Sequence, residues 1–320
     1  MKSWDSREFS IRNPGYSRRC KAIRFTATNH VIGDGWWSWW IPLKGGDTSV
    51  GIVYDQRLTE LPEGGRLGDR LKAFLMQHPA ARELLENATY LEGDVHFRRN
   101  CAYCADRFAG NGYALVGDAA AFMDPFYSPG MDWIAFSAYA TTTLIDGCLR
   151  GRPAAERVAR HNERFRVSYN RWFESVYRDK YYYMGDHELM TLAFRLDLGL
   201  YYLGVVSQLF RFGDAGLEIP PFARPGSRIA CALLMLYNRR LATIARSRKA
   251  RGSWGRHNHG RFFPFISYQL DNRLLPRVLW AVCIWLGLEL KEGWRTWFLS
   301  QPAPDVSMSP QARQARPARV

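Results

Sequence analysis

The sequence predicts an α/β chain, α+β in the part present, with an antiparallel sheet first and a helical region after it. Three observations carry this. Trp36–Leu43 and Thr48–Tyr54 are rich in aromatic and β-branched residues and flank Lys44-Gly45-Gly46-Asp47, the pattern of a hairpin with a glycine-containing loop. Tyr113–Val116 is a short apolar run that stops at Gly117-Asp118, as a buried strand stops at a sheet edge. Beyond Arg150, aromatic and apolar residues such as Phe165, Tyr169 and Trp172 recur at helical spacing.

The elements follow in order. Residues 1–20 are polar and irregular, and Ala22–Asn29 reads as a strand before the hairpin. Leu67, Leu71, Phe74 and Leu75 give residues 66–87 a helical period, which Pro79 divides in two. Thr89–Arg98 is expected to return to the sheet. A helix is expected from Gly130 to about Ile145, with Ile134, Ala138 and Ile145 on one face. Helices are also expected over Arg152–Tyr183, Leu189–Leu209, Ile229–Ile244 and Leu274–Trp297. Gly213–Pro225 forms a loop, Arg246–Arg261 a basic linker, and the Pro/Arg/Gln/Ala-rich last twenty residues a disordered tail. The expected domains are 1–150, 151–300 and the tail 301–320.

Length and composition bound the class. With 320 residues and 47% hydrophobic content, the chain can bury one large or two modest cores and is not a disordered segment. The first residues lack the apolar core of a secretory signal, and the best apolar run, Val278–Leu288, is about half of what a bilayer span needs. Of the cysteines Cys20, Cys101, Cys104, Cys148, Cys231 and Cys283, only Cys101 and Cys104 are spaced suggestively. One C-x-x-C without a second pair is a weak metal signal, so no metal is expected and the thiols read as reduced.

The chemistry gathers in Gly112–Ile145. Asp118, just past a strand end, can accept hydrogen bonds from sugar hydroxyls. Gly130 at a helix start lets backbone N–H groups point at an anionic group. Gly-Asp alone also suits a plain βα unit with a polar turn. Trp37 and Trp39 face the same way on a strand and form one aromatic wall, able either to stack on a flat ligand or to fill a core.

Two longer strings narrow this. Phe122, Pro125, Ser128 and Gly130 read F-x-x-P-x-x-S-x-G, and Trp37-Ser38-Trp39-Trp40-Ile41-Pro42 reads W-x-W-x-I-P. Together they resemble the motifs of flavin-dependent halogenases within the FAD-dependent monooxygenase superfamily, in that family's order and rough separation. The resemblance implies an incomplete FAD/NAD(P)-binding flavoprotein monooxygenase fold, an antiparallel substrate-side sheet and a helical C-terminal region. It implies FAD as cofactor, with Gly117, Asp118, Pro125, Gly130 and Met131 binding it. Trp37, Trp39, Phe122 and Ser128 would line the route between flavin and substrate.

The sequence also departs from that family. No G-x-G-x-x-G follows a strand, since Gly64-Gly65-Arg66-Leu67-Gly68 has the wrong spacing, so the chain reads as the later part of a longer enzyme. The family's catalytic lysine has no counterpart among Lys2 and Lys21, and no catalytic residue is nominated. Halide binding in the family uses N–H groups of the S-x-G segment, and here its middle residue is Pro129, which has none. Tyr127 stands where tryptophan halogenases carry a glutamate, which argues against free tryptophan and for a hydrophobic or carrier-tethered substrate.

Charge separates the halves. Residues 1–150 hold 17 basic and 17 acidic side chains, leaving 27 of the 44 basic and 13 of the 30 acidic ones in the remainder and a net charge of +14 overall. The basic half, with Trp280, Trp285, Trp294 and Trp297, suits an acidic carrier protein, an anionic membrane surface or a plain solvated face. It contains no nucleic-acid module, so no nucleic-acid partner is expected. His30, His257 and His259 sit beside no Ser, Cys or Asp arrangement for nucleophilic catalysis.

The expected function is an FAD-dependent, halogenase-like oxidoreductase. It would act with reduced flavin, oxygen and a flavin reductase on an aromatic or hydrophobic substrate. The alternatives are a flavin-dependent dehydrogenase, reductase or hydroxylase of an acyl chain, and a non-catalytic relative that binds a carrier or membrane. Its expected location is the cytoplasm, with peripheral membrane contact as the variant.

Overall fold

The computed structural model describes residues 11, 12, 14, 27–258 and 274–297, and the expected strand at Ala22–Asn29 falls largely outside them. The chain divides into two compact units: Met1–Arg98, Lys180–Leu192 and Ile244–Arg273 form the first, and Arg99–Asp179, Ala193–Thr243 and Leu274–Val320 the second.

The first unit is built on a three-stranded antiparallel sheet, β1 (Asn29–Gly33), β2 (Trp36–Pro42) and β3 (Thr48–Tyr54), in sequence order. The β2–β3 hairpin is where the alternation predicts it, with Trp39 opposite Gly51. β1 was not expected from the sequence. It pairs with β2 through the Asp34-Gly35 turn, where Gly35 takes φ 76°, a conformation glycine adopts without strain. Period-2 alternation sends Trp40 into a core of Val31, Phe74, Leu75, Ala81, Leu84 and Leu85. The Trp40 indole N–H is satisfied there by Ser38 Oγ at 2.9 Å. Helices α1 (Leu67–Leu75) and α2 (Pro79–Leu85) supply that core, split at Pro79 as the sequence predicts.

Thr89–Arg98 does not return to the sheet. It is irregular, with one 3-10 turn at Glu92–Asp94. Tyr90 explains this: its ring covers Gly68 and its hydroxyl donates to Asp69 at 2.8 Å, which ties the segment to the start of α1.

The second unit has two small antiparallel ladders: β4 (Tyr103–Cys104) with β7 (Ala121–Phe122), and β5 (Ala109–Gly110) with β6 (Tyr113–Ala114). The expected strand before Gly117 is thus only two residues long. Asn162 takes over as ladder partner, accepting from the N–H of Phe108 and Ala109 at 2.6 and 2.8 Å and donating to Ala109 O at 2.8 Å. Helix α3 (Gly130–Leu149) begins where predicted. The face that carries Ile134, Ala138 and Ile145 is not the buried one. Trp133, Phe136, Ala140 and Leu144 point inward, whereas Ile134, Ala138 and Ile145 are exposed. The aromatic core decides this, with Trp133 edge-on to Phe165 of α4 (Ala154–Trp172) at 5.4 Å.

The remaining helices are α5 (His187–Tyr201), α6 (Ser207–Phe212), α7 (Ser227–Ala250) and α8 (Leu274–Lys291). A π-turn at Tyr202–Val206 and a 3-10 turn at Gly213–Glu218 extend α5 and α6 into one helical stretch, His187–Glu218, that contains a long apolar segment. By length and composition alone this stretch is enough to cross a membrane. With 61% of its apolar window buried, it also meets the description of a core helix. Arg246–Ala250 belong to α7, not to a linker, and Gly252–Asn258 follow as turns. The 301–320 tail and His259 lie outside the described residues.

Candidate functional site

The predicted site residues fall into the two units. Trp37 and Trp39 belong to the first and Gly117, Asp118, Phe122, Pro125, Ser128, Gly130 and Met131 to the second.

In the first unit the aromatic wall exists as a physical object. The Trp37 and Trp39 rings are 5.9 Å apart at 56°. Trp37 is buried and its indole N–H donates to the Tyr181 hydroxyl at 3.0 Å, while Trp39 donates to Ser49 Oγ at 3.2 Å. Trp39 lies flat over Gly51, where a Cβ would come within 2.0 Å of the ring. His30 meets Trp37 edge-on at 5.4 Å and its Nδ1 pairs with Ser38 O, so it supports the wall. Burial lowers the His30 pKa.

In the second unit Gly117–Ala119 form a 3-10 turn seated on the first turns of α3. Gly117 adopts φ 57°, its Cβ position lies 2.9 Å from Ile134, and its N–H donates to Ser137 Oγ at 2.8 Å. The Asp118 side chain is exposed, while its carbonyl accepts from the Tyr103 hydroxyl. Tyr103 also stacks on Phe122, with centroids 6.3 Å apart.

The loop between β7 and α3 is strained. Tyr127 and Ser128 take φ 70° and 53°, where side chains other than glycine are uncommon, and such conformations persist only when their surroundings hold them. Four contacts do so. Asp124 accepts from Phe126 N–H at 2.8 Å, and Ser128 N–H donates to Pro125 O at 2.9 Å. Tyr177, on a π-turn at Phe173–Tyr177, donates to Phe126 O at 3.0 Å. The Tyr127 hydroxyl donates to Asp197 at 2.8 Å, and Asp197 also accepts from Tyr237.

Pro129 caps α3, and the first intrahelical bond is Trp133 N–H to Pro129 O at 2.9 Å. The N–H groups of Gly130, Met131 and Asp132 therefore precede the ladder, at the positive end of the helix. Space above Gly130 is open, and Met131 is exposed. The Asp132 carboxylate turns to the Tyr201 hydroxyl at 2.9 Å, and burial raises its pKa. An exposed carboxylate accepts from hydroxyl groups, and helix-start N–H groups ahead of the ladder attract an anionic group.

Sequence reasoning missed Tyr177, Asp197, Tyr201 and Tyr237, which lie tens of residues from the loop they brace and carry no local signal. Burial pushes the Cys104 thiol of the C-x-x-C pair up to about 12. Among the described residues no group of three His, Cys, Asp or Glu side chains is placed to hold a metal.

No family model matches the chain. Curated proteins do. The flavin-dependent halogenase gsfI of Penicillium aethiopicum is 34% identical over 120 residues, 36% of this chain and 22% of that protein. The flavin-dependent halogenase chlA of Dictyostelium discoideum is 35% identical over 123 residues, 37% of this chain and 20% of that protein. The flavin-dependent halogenase armH4 of Armillaria mellea is 30% identical over 195 residues, 56% and 36%. Among solved structures, halogenase PltM matches with a TM-score of 0.50 and 18% identity, over 84% of this chain and 54% of that one. Its complex with phloroglucinol and FAD gives 0.53 and 17% over the same shares. The chain thus spans about a fifth to a third of these curated relatives and about half of PltM, and shares the fold of that half. By sequence and by fold it is halogenase-like.

Proposed function

We propose that this halogenase-like chain serves an FAD-dependent oxidoreductase that halogenates an aromatic or hydrophobic substrate, carrier-tethered acyl groups included, with a flavin reductase as electron source. The observation that carries this reading is the Gly117-Asp118 turn seated on the start of α3, beside a loop held at positive φ. Those residues fit a flavin nucleotide. Asp118 would accept from ribityl hydroxyls, and the N–H groups of Gly130 and Met131 would face the electron-rich ring edge. Bound reduced flavin supplies the electrons that activate oxygen.

The chain's own residues would then position and shield. Trp37 and Trp39 would wall the substrate route and keep water out. In the second unit, Phe122 and Ser128 would line the cofactor site. The phloroglucinol bound in the PltM complex supports an aromatic substrate, and Tyr127 argues against free tryptophan.

A second reading is a non-halogenating flavin dehydrogenase, reductase or hydroxylase of an acyl chain. A specific geometry favours it: in Ser128-Pro129-Gly130, Ser128 N–H is already bonded to Pro125 O and Pro129 has none, which leaves one N–H for a halide.

The test is FAD titration followed by flavin fluorescence, for the wild type and Asp118→Ala, then turnover with and without bromide. Quenching that weakens about tenfold or more in the variant is expected, from loss of a charge-assisted hydrogen-bond acceptor. Absence of any FAD uptake by the wild type would overturn the flavoenzyme reading. FAD uptake with bromide-independent oxidation would select the second reading.

A further inference from the structure

Helix α8 is inside out. Its exposed positions include Leu279, Trp280, Cys283, Leu286, Gly287 and Leu290, none of them charged. Its carboxylate, Glu289, is the residue that turns inward. It pairs with Arg240 of α7 at 2.7 Å and accepts from the indoles of Trp285 and Trp297 at 3.2 and 3.1 Å. A surface helix of a soluble protein ordinarily has the opposite polarity. The exposed stripe ends in Lys291, Trp294, Arg295 and Trp297, with the Arg295 guanidinium 5.4 Å from the Trp294 ring centre. α7 repeats the pattern on a smaller scale: Ile229, Leu233 and Leu236 are exposed between Arg228 and Arg239.

The rim decides what covers this face. A second copy would set Lys291, Arg295 and the α7 arginines against their own equivalents, between chains that each carry +14. An anionic bilayer complements both features, taking the apolar stripe into the acyl boundary and the cations among its headgroups. Indoles beside cations at the end of an apolar helix face suit that boundary. We propose that α8, with its 3-10 extension Gly293–Thr296, seats this protein on an anionic membrane surface. The helix lies in the interface and does not cross it, because its other flank is committed to protein. Val278 fills the space at Gly199, Ala281 is buried and Tyr237 meets Trp285 edge-on at 6.2 Å.

Flotation with phosphatidylcholine vesicles, with and without phosphatidylserine, tests this on the full chain. Two variants accompany the wild type: Leu286→Asp/Leu290→Asp, which removes the stripe, and Lys291→Glu/Arg295→Glu, which reverses the rim. Binding to phosphatidylserine vesicles that falls with salt is expected, weakened about tenfold or more by each variant, with circular dichroism unchanged. The proposal is overturned by wild-type protein that stays unbound, by binding that neither variant alters, or by a discrete dimer that Leu286→Asp/Leu290→Asp dissolves.

Discussion

His161 shows how much a single buried side chain can couple this fold to pH. It lies on α4 with its ring 4.7 Å from Phe165, and burial lowers its pKa from 6.5 to about 4. Between those values the unfolded chain binds a proton that the folded chain refuses, so stability rises with pH across the window. The contribution is fully present above about pH 6.5 and is lost as pH falls toward 4. Replacing His161 by Gln is expected to flatten the fall of Tm over that range. His30 and His78 are lowered by burial too, so the difference between variant and wild type isolates His161. An identical slope in both proteins would refute the assignment. At the same scale, Tyr127 and Ser128 show where function and local preference part: two side-chain-bearing residues hold left-handed backbone because Asp197, Tyr177 and Pro125 fix the loop around them.

The β2–β3 hairpin is the element whose geometry was most legible. Period-2 alternation alone separates Trp37 and Trp39 from Trp36 and Trp40, and the register adds one further condition, Trp39 over Gly51. A methyl at residue 51 would sit 2.0 Å from the indole, so Gly51→Ala must tilt Trp39 away from Trp37. The expected cost is about 1–3 kcal/mol in urea unfolding, with a changed near-UV circular dichroism signal from the indole pair. An unchanged near-UV spectrum would show that the ring is free to move. The Asp34-Gly35 turn carried an equally local signal, a D-G dipeptide between two apolar runs, which should have identified β1. Helix α3 taught the reverse. Ile134, Ala138 and Ile145 do share a face, but hydrophobicity could not say that Trp133 and Phe136, on the other side, had the aromatic partners.

Across the molecule, segments far apart in sequence are tied by buried polar contacts. In the first unit Arg248 reaches Asp186 at 2.9 Å with both side chains 3% exposed, and Asp186 also accepts from the N–H groups of Glu188, Leu189 and Gly255. This pair joins the Lys180–Leu192 segment to the end of α7, which is why Arg246–Ala250 are helical and not a solvated linker. Arg248→Met leaves the Asp186 charge buried without its counter-ion and is expected to cost about 3–5 kcal/mol by urea denaturation. A loss below about 1 kcal/mol would mean that the backbone N–H groups alone satisfy the carboxylate.

The sequence by itself determined the tryptophan hairpin, the break at Pro79, the Gly-Asp turn and the start of α3. Each is written in neighbouring residues: a period of two, a missing N–H, a glycine where backbone must turn. It also carried the two strings that resemble the halogenases. Only the tertiary structure decided which face of α3 is buried, that Tyr90 holds residues 89–98 off the sheet, and that Asp197 and Tyr237 brace the Tyr127 loop. Those outcomes depend on partners up to about a hundred residues away, whose approach is set by packing and by the cost of leaving a buried polar group unpaired.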